Sequence, residues 1–224
     1  MKTPSELQRD VMDELEFDPR FDASGIGVAV SDGGVVTLTG HVESYAAKVA
    51  TENAVKRVKG VKGVANDLSV RLWAGTERDD TDIAHAAVNA LAWNTWLPRD
   101  AVTVTVKNGW VTLEGSLDWQ YQREDARATV AHLTGVKGVT NLTTVKATVA
   151  PAAVENSVKS AFQRSASIDA NHVHVETIGG RVILRGKVRS WVERDDAERA
   201  AWSVAGVTQV DNDLSIGVTE YAGI

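Results

Sequence analysis

The amino-acid sequence predicts an α+β protein of three tandem small αββαβ domains, each a mixed three-stranded sheet covered on one face by two helices. Three observations lead there. A linked pair of short phrases recurs three times along the chain. Each copy begins with apolar residues at every second position and passes into apolar residues at every fourth. Glycines stand at the joins, where chain reversals need them.

The repeat blocks are Gly33–Val70, Asn108–Val145 and Gly179–Ile216, aligned without a gap. Five identical columns are glycine or the neighbouring valine: Gly34/Gly109/Gly180, Gly40/Gly115/Gly186, Gly60/Gly135/Gly206, Val61/Val136/Val207 and Val64/Val139/Val210. Three more are Val36/Val111/Val182, Leu38/Leu113/Leu184 and Asn66/Asn141/Asn212.

Each unit opens with a helix. Leu7, Val11 and Leu15 are spaced by four, as are Ile83, Ala87 and Leu91, and Val154, Val158 and Phe162. An alternating run follows, "IGVAV", "VTVTV" or "HVHVE". It turns through "SDGG", "KNG" or "TIGG", where glycine supplies the positive φ of a tight hairpin. The return strand reads "VVTLTGHV", "WVTLEGSL" or "RVILRGKV". Val36, Leu38 and Val42 share an apolar face, and Thr37, Thr39 and His41 the polar one. Gly40 lies on the apolar face, and the expectation is that a helix crosses over it.

The second helix covers Ser44–Lys59 in the first unit. Ser44 and Ser190 are aligned N-cap residues, with Asp118 one position earlier in the second unit. Thr51, Val55 and Val58 form its buried stripe, matched by Ala126, Val130 and Leu133 and by Ala197, Ala201 and Val204. Gly60, Gly135 and Gly206 stop the helix in the C′ role. The run V-x-N-x-[LT]-x-[VI] is the last strand. Polar "AGTERDDT" and Pro151-containing "TVAPAAV" join the units, giving domains at 1–73, 78–149 and 151–219.

Composition narrows the function. The chain has 224 residues, 43% of them hydrophobic, and seven tryptophans, enough to build cores. A net charge of −6 argues against sequence-independent nucleic-acid binding, which needs clustered cations. No cysteine is present, which excludes disulfides and thiolate chemistry. No apolar run reaches membrane-spanning length, so the chain is expected not to span a membrane. The start "MKTPSELQRDVMDELEFD" has no leader-like apolar run, so a cytoplasmic protein is expected, or a periplasmic one if an export signal was trimmed.

The "GxVxLxG" strands (Gly34–Gly40, Gly109–Gly115, Gly180–Gly186) and the "GVxxVxN" phrases (Gly60–Asn66, Gly135–Asn141, Gly206–Asn212) resemble the BON domain family over nearly the whole chain. "ALAWNTWLP", "GWVTLEG" and "DWQYQR" look like the central unit of soluble three-BON proteins. The resemblance implies a non-enzymatic module linked to osmotic and envelope stress, binding phospholipid or another hydrophobic ligand, with no cofactor. One departure is Thr143 in the column of Leu68 and Leu214, which suggests a shifted or less buried last strand.

No catalytic constellation is legible. The histidines form no metal motif, and "HVH" at 172–174 offers two ligands at most. The acidic pairs Asp79–Asp80 and Asp195–Asp196 read as solvated charge. The aromatic residues are more informative. Trp93 and Trp96 precede the hairpin of the second unit, and Trp119 and Tyr121 follow it, so an antiparallel pairing gathers them at one end. Phe17, Phe21 and Tyr45 match them in the first unit, and Phe162 and Trp191 in the third. Such rings suit a ligand or partner, and they also suit the closing of a small core. Lys48, Arg123 and Arg194 form a recurring cation near that end, apt for a phosphate group or a helix-surface ion pair.

Three readings follow: a binding scaffold using the aromatic end for a hydrophobic, lipid-like or protein partner, a chaperone-like holdase, and a homo-oligomer built through contacts between units.

Overall fold

The computed structural model describes residues 2–72, 75, 77–146, 154–165, 168 and 172–217. Pro151 and most of its linker lie outside them. The chain divides into two compact units, residues 1–117 with 121–144, and residues 118–120 with 145–224. The first carries two αββαβ modules and the second carries one.

In the first module α1 (Pro4–Phe17) starts at Thr3, whose side chain and backbone exchange bonds with Glu6 in a capping box. Strands β1 (Ile26–Ser31) and β2 (Val35–Val42) pair antiparallel. Helix α2 (Tyr45–Arg57) then returns the chain to β3 (Gly63–Asn66), parallel to β2, and the short β4 (Ser69–Val70) continues along β2. The second module repeats this order with α3 (Asp80–Trp93), β5 (Val102–Lys107), β6 (Trp110–Leu117), α4 (Gln120–Ala131), β7 (Gly138–Asn141) and β8 (Thr144–Val145). The third has α5 (Val154–Arg164), β9 (Val173–Ile178), β10 (Arg181–Val188), α6 (Trp191–Trp202) and one unbroken last strand, β11 (Gln209–Ile216). The central strand of each sheet is the "GxVxLxG" strand.

The period-four stripes are buried. Val11, Ala87 and Val158 have no exposed surface, and Val36, Leu38, Val111, Leu113, Val182 and Leu184 meet them from the sheet. Thr51 joins the first core by donating its hydroxyl proton to the Ala47 carbonyl at 2.9 Å. Leu91, Ile83 and Val130 share the second core, into which Tyr45 of the first module also packs.

Two expectations about glycines are corrected. The atoms nearest Gly40 come not from an α-helix but from the end of the short 3-10 turn Ala23–Gly25. The close neighbour is the carbonyl of Gly25, just before the paired strand, and Gly115 and Gly186 meet the Ala101 and His172 carbonyls in the same way. All three have positive φ, at 110°, 146° and 135°. Nor do the second helices run to Gly60, Gly135 and Gly206. They end at Arg57, Ala131 and Trp202, and the glycine sits inside a separate turn closed by Val61 N–H to Val58 O, Val136 N–H to Leu133 O, and Val207 N–H to Val204 O.

That turn explains why the two phrases travel together. The Lys62 N–H donates to the Gly34 carbonyl at 2.8 Å, Lys137 to Gly109 at 2.9 Å and Thr208 to Gly180 at 2.8 Å. A side chain on Gly34, Gly109 or Gly180 would collide with the carbonyl of Gly60, Gly135 or Gly206. The hairpin loop and the post-helix turn therefore close on each other in each module.

Thr143 does not shift its strand. Trp110 pairs with Gly138 as Val35 pairs with Gly63, and Thr143 is as buried as Leu68. Its hydroxyl donates to Asn141 Oδ1 at 2.6 Å, which satisfies the polar atom locally. The acidic pair at α3 is not idle charge either. Asp79 caps the helix by accepting from the Asp82 N–H, and Asp80 accepts from the N–H groups of Asn108 and Gly109 at 2.7 and 2.8 Å. Helix α4 begins at Gln120, two residues after Asp118, whose carboxylate pairs with Lys146 at 3.3 Å.

Asp18 ends α1 and is almost fully buried. The Arg20 side chain binds it, with Nε at 2.8 Å, and Arg57 of α2 adds a bond at 3.3 Å. The Arg20 bonds hold its carboxyl far below the usual range, against the opposing effect of burial. A carboxyl depressed in the folded state contributes stability above its unfolded pKa and loses it as pH falls toward the folded value. The expected result is a melting temperature steady from pH 8 to 5 that falls below about pH 4. Asp18→Asn should flatten that acid limb in a thermal-melt series.

Candidate functional site

The aromatic residues of the second module concentrate on the segment between α3 and β5 and on the start of α4. Asn94 closes α3 and organises that segment. Its Oδ1 accepts from the Trp96 N–H at 2.9 Å, and its Nδ2 donates to Asp125 at 2.7 Å and to Thr129 at 2.9 Å on α4. From α4, Gln122 Nε2 donates to the Trp96 carbonyl at 3.0 Å. Both polar groups of the Trp96 backbone are thus held by side chains. The Trp96 ring meets Tyr121 edge to face, with centroids 6.0 Å apart and planes at 89°.

These rings do not fill a core. Trp96 is 63% exposed and Tyr121 49%. Trp93 is 87% exposed, and Trp119 also ranks among the exposed large residues. The other modules differ. Phe17 is exposed, Tyr45 packs against the second core, and Phe162 is a buried core residue rather than part of an aromatic end. Trp191 lies under the Arg194 guanidinium, 5.4 Å from ring centroid to Cζ.

The basic column has a backbone task that the sequence did not reveal. Lys48 donates to the Leu68 carbonyl at 2.7 Å, Arg123 to Asn141 at 3.3 Å and Arg194 to Asn212 at 2.6 Å. Each cation ties the second helix to the last strand. The identical asparagine answers from the strand side. Asn141 Nδ2 donates to the Arg123 carbonyl at 2.7 Å, and Asn66 and Asn212 reach Glu52 and Glu198 on the helix.

Trp110 was missed. It lies on the outer sheet face, half exposed, across Gly138 of the neighbouring strand, and its Nε1–H donates to Thr140 Oγ1 at 2.7 Å. It borders a shallow depression of about 390 Å³ with Thr105, Lys107, Asn108 and Thr112. The available signal was the pairing of Trp110 with a glycine column, since an aromatic ring often covers a strand glycine.

Among the described residues no group of three or more His, Asp or Glu could hold a metal ion. Among them, too, no helix is long and apolar enough to cross a membrane. His172 precedes β9 and His174 points from it into solvent.

Three αββαβ modules, each built on the same pair of glycine motifs, define a tandem-repeat α+β protein. The BON domain model matches residues 4–71, 79–147 and 152–218, and the chain belongs to the BON domain family. It is 31% identical over 151 residues to Osmotically-inducible protein Y of Escherichia coli (strain K12), covering 62% of this chain and 74% of that protein. Among solved structures, the C-terminal domain of CdsD, the structural protein of the type III secretion system of Chlamydia trachomatis, aligns over 97% of this chain and 100% of that one. Its identity is 15% and its TM-score 0.27. The PrgH periplasmic domain aligns over 92% and 100% at 8% identity and a TM-score of 0.22. Both superpositions are too loose to carry a functional argument.

Proposed function

We propose that the chain is a non-enzymatic binding protein of the osmotic stress response, which takes a hydrophobic, lipid-type ligand on the aromatic edge of its second module. The observation that carries this reading is the exposed Trp96–Tyr121 pair on a backbone fixed by Asn94 and Gln122. Exposed rings leave apolar area to be covered, and a fixed backbone lowers the ordering cost of covering it. Removing roughly 200 Å² of ring surface from water contributes about 5 kcal/mol before association costs. Trp93 supplies further exposed ring surface in the same module. We leave Lys48, Arg123 and Arg194 out of the proposed surface, because each already donates to a backbone carbonyl beyond its second helix.

The osmotic setting rests on the family and on the name of the Escherichia coli relative. The expected cytoplasmic location finds no support in them.

The test is native mass spectrometry of protein purified gently from its host. The expected result is a mass excess of lipid size that Trp96→Ala/Tyr121→Ala loses, with affinity for the recovered compound reduced about 100-fold. A bare mass in the unmodified protein, or a variant that keeps the excess, overturns the proposal. An unchanged circular dichroism spectrum separates lost binding from lost fold.

A further inference from the structure

The three modules treat their hairpin edge strand differently. β1, β5 and β9 each lie at the edge of their sheet. Their equivalent central residues are Val28, Val104 and Val175, which pair with Leu38, Leu113 and Leu184. In the first module α1 guards this edge, with Gln8 Nε2 donating to the Val28 carbonyl at 2.9 Å. So Val28 turns its backbone polar groups outward, away from β2. In the third module the place of Gln8 is taken by Glu155, paired with Lys159 one turn further along α5. In the second module that place is Ala84, and the residue one turn on is Val88, an exposed apolar side chain. Neither side chain has a donor with which to cap a strand carbonyl. Edge strands are normally shielded by charge, proline or a covering group, and β5 carries neither charge nor proline between Val102 and Val106.

The strand is also self-complementary. Val102-Thr103-Val104-Thr105-Val106 reads the same in both directions. Two copies laid antiparallel about Val104 put Val102 opposite Val106, Thr103 opposite Thr105 and Val104 opposite itself. Valine then meets valine on the helix-covered face and threonine meets threonine on the open one, both favourable cross-strand pairs. Each valine pair exchanges two backbone hydrogen bonds. The arrangement is isologous and closes at two copies, so it does not grow into fibres.

We propose that β5 is a homodimerisation strand, and that two copies of this chain join their second-module sheets through antiparallel β5 pairing, flanked by Ala84 and Val88 of α3. The proposal is independent of the aromatic edge. One strand pair with a flanking helix contact is a small interface, so the dissociation constant is expected on the order of 10 µM.

Sedimentation equilibrium of the full chain from about 1 to 300 µM reads the assembly directly. The expected result is a shift from 24.0 kDa toward twice that mass over this range. Thr103→Lys/Thr105→Lys sets like charges opposite each other on an exposed face and should weaken the dimer about 100-fold. Mixing it with Thr103→Glu/Thr105→Glu should restore a mixed dimer. Ala84→Gln, which installs the guard of the first module, should weaken the dimer about tenfold and serves as the deciding variant if the lysine pair fails to fold. A monomer at every concentration overturns the proposal, and so does a dimer that Ala84→Gln leaves intact.

Discussion

Gly115→Ala is expected to unfold the second module at physiological temperature. At Gly115 φ is 146°, and an added Cβ would fall far inside the contact distance of the Ala101 carbonyl oxygen. Strained backbone and a collision with a backbone atom that cannot rotate away together cost about 3 kcal/mol or more. For a domain of this size that lowers the melting temperature by roughly 12 °C or more. Gly33→Ala is the control. Its φ is also positive, at 92°, but nothing lies near the added atom, so only the conformational cost of about 1–2 kcal/mol remains. Thermal melts of the two variants should differ clearly. Equal melting temperatures would mean that strand pairing at Ala101 yields easily, contrary to the geometry.

Phe162→Ala should release the third module. Phe162 is the largest fully buried side chain described, packed with Val158, Val182, Leu184 and Ala201. Truncation leaves a cavity that costs about 3–5 kcal/mol. A small domain has little more stability than that to lose. Amide exchange in β10 should become fast while α1 and β2 remain protected. Slow exchange in β10 of the variant would show that the core repacks around the gap. Phe17→Ala, at an 85% exposed position, should change stability by no more than about 0.5 kcal/mol.

The parts of this molecule legible in its sequence are those set by one period at a time. Leu7, Val11 and Leu15 lie in the core because four-residue spacing aligns them on one helix face. Val36 and Leu38 lie there because strand side chains alternate. Ser44 and Ser190 cap their helices because the N-cap bond is local. What escaped was decided between elements. The atom nearest Gly40 comes from Gly25, which periodicity cannot select from the other groups on that face. Lys48 looks like a surface cation until its 2.7 Å bond to Leu68, twenty residues away, is seen. Tyr45 lies next to the N-cap of its own helix, yet packs into the following module. At the aromatic edge the clustering of residue types was visible, but not the hold of Asn94 and Gln122 on the Trp96 backbone, which runs through α4.

The bond from each post-helix turn back to its hairpin loop also governs where the chain tolerates a change of length. Between Gly34 and Lys62 the path runs through strand, helix and turn and ends where it began, at 2.8 Å. One residue added to the helix would rotate everything after it by about 100° and carry Lys62 away from the Gly34 carbonyl. This accounts for three blocks that align without a gap despite few shared residues. Outside that loop the constraint lapses. The hairpins "SDGG" and "KNG" differ in length, and so do the joining segments. Insertions, tags or fusion partners therefore belong at the joining segments, while every register from the second glycine to the asparagine is fixed by closure.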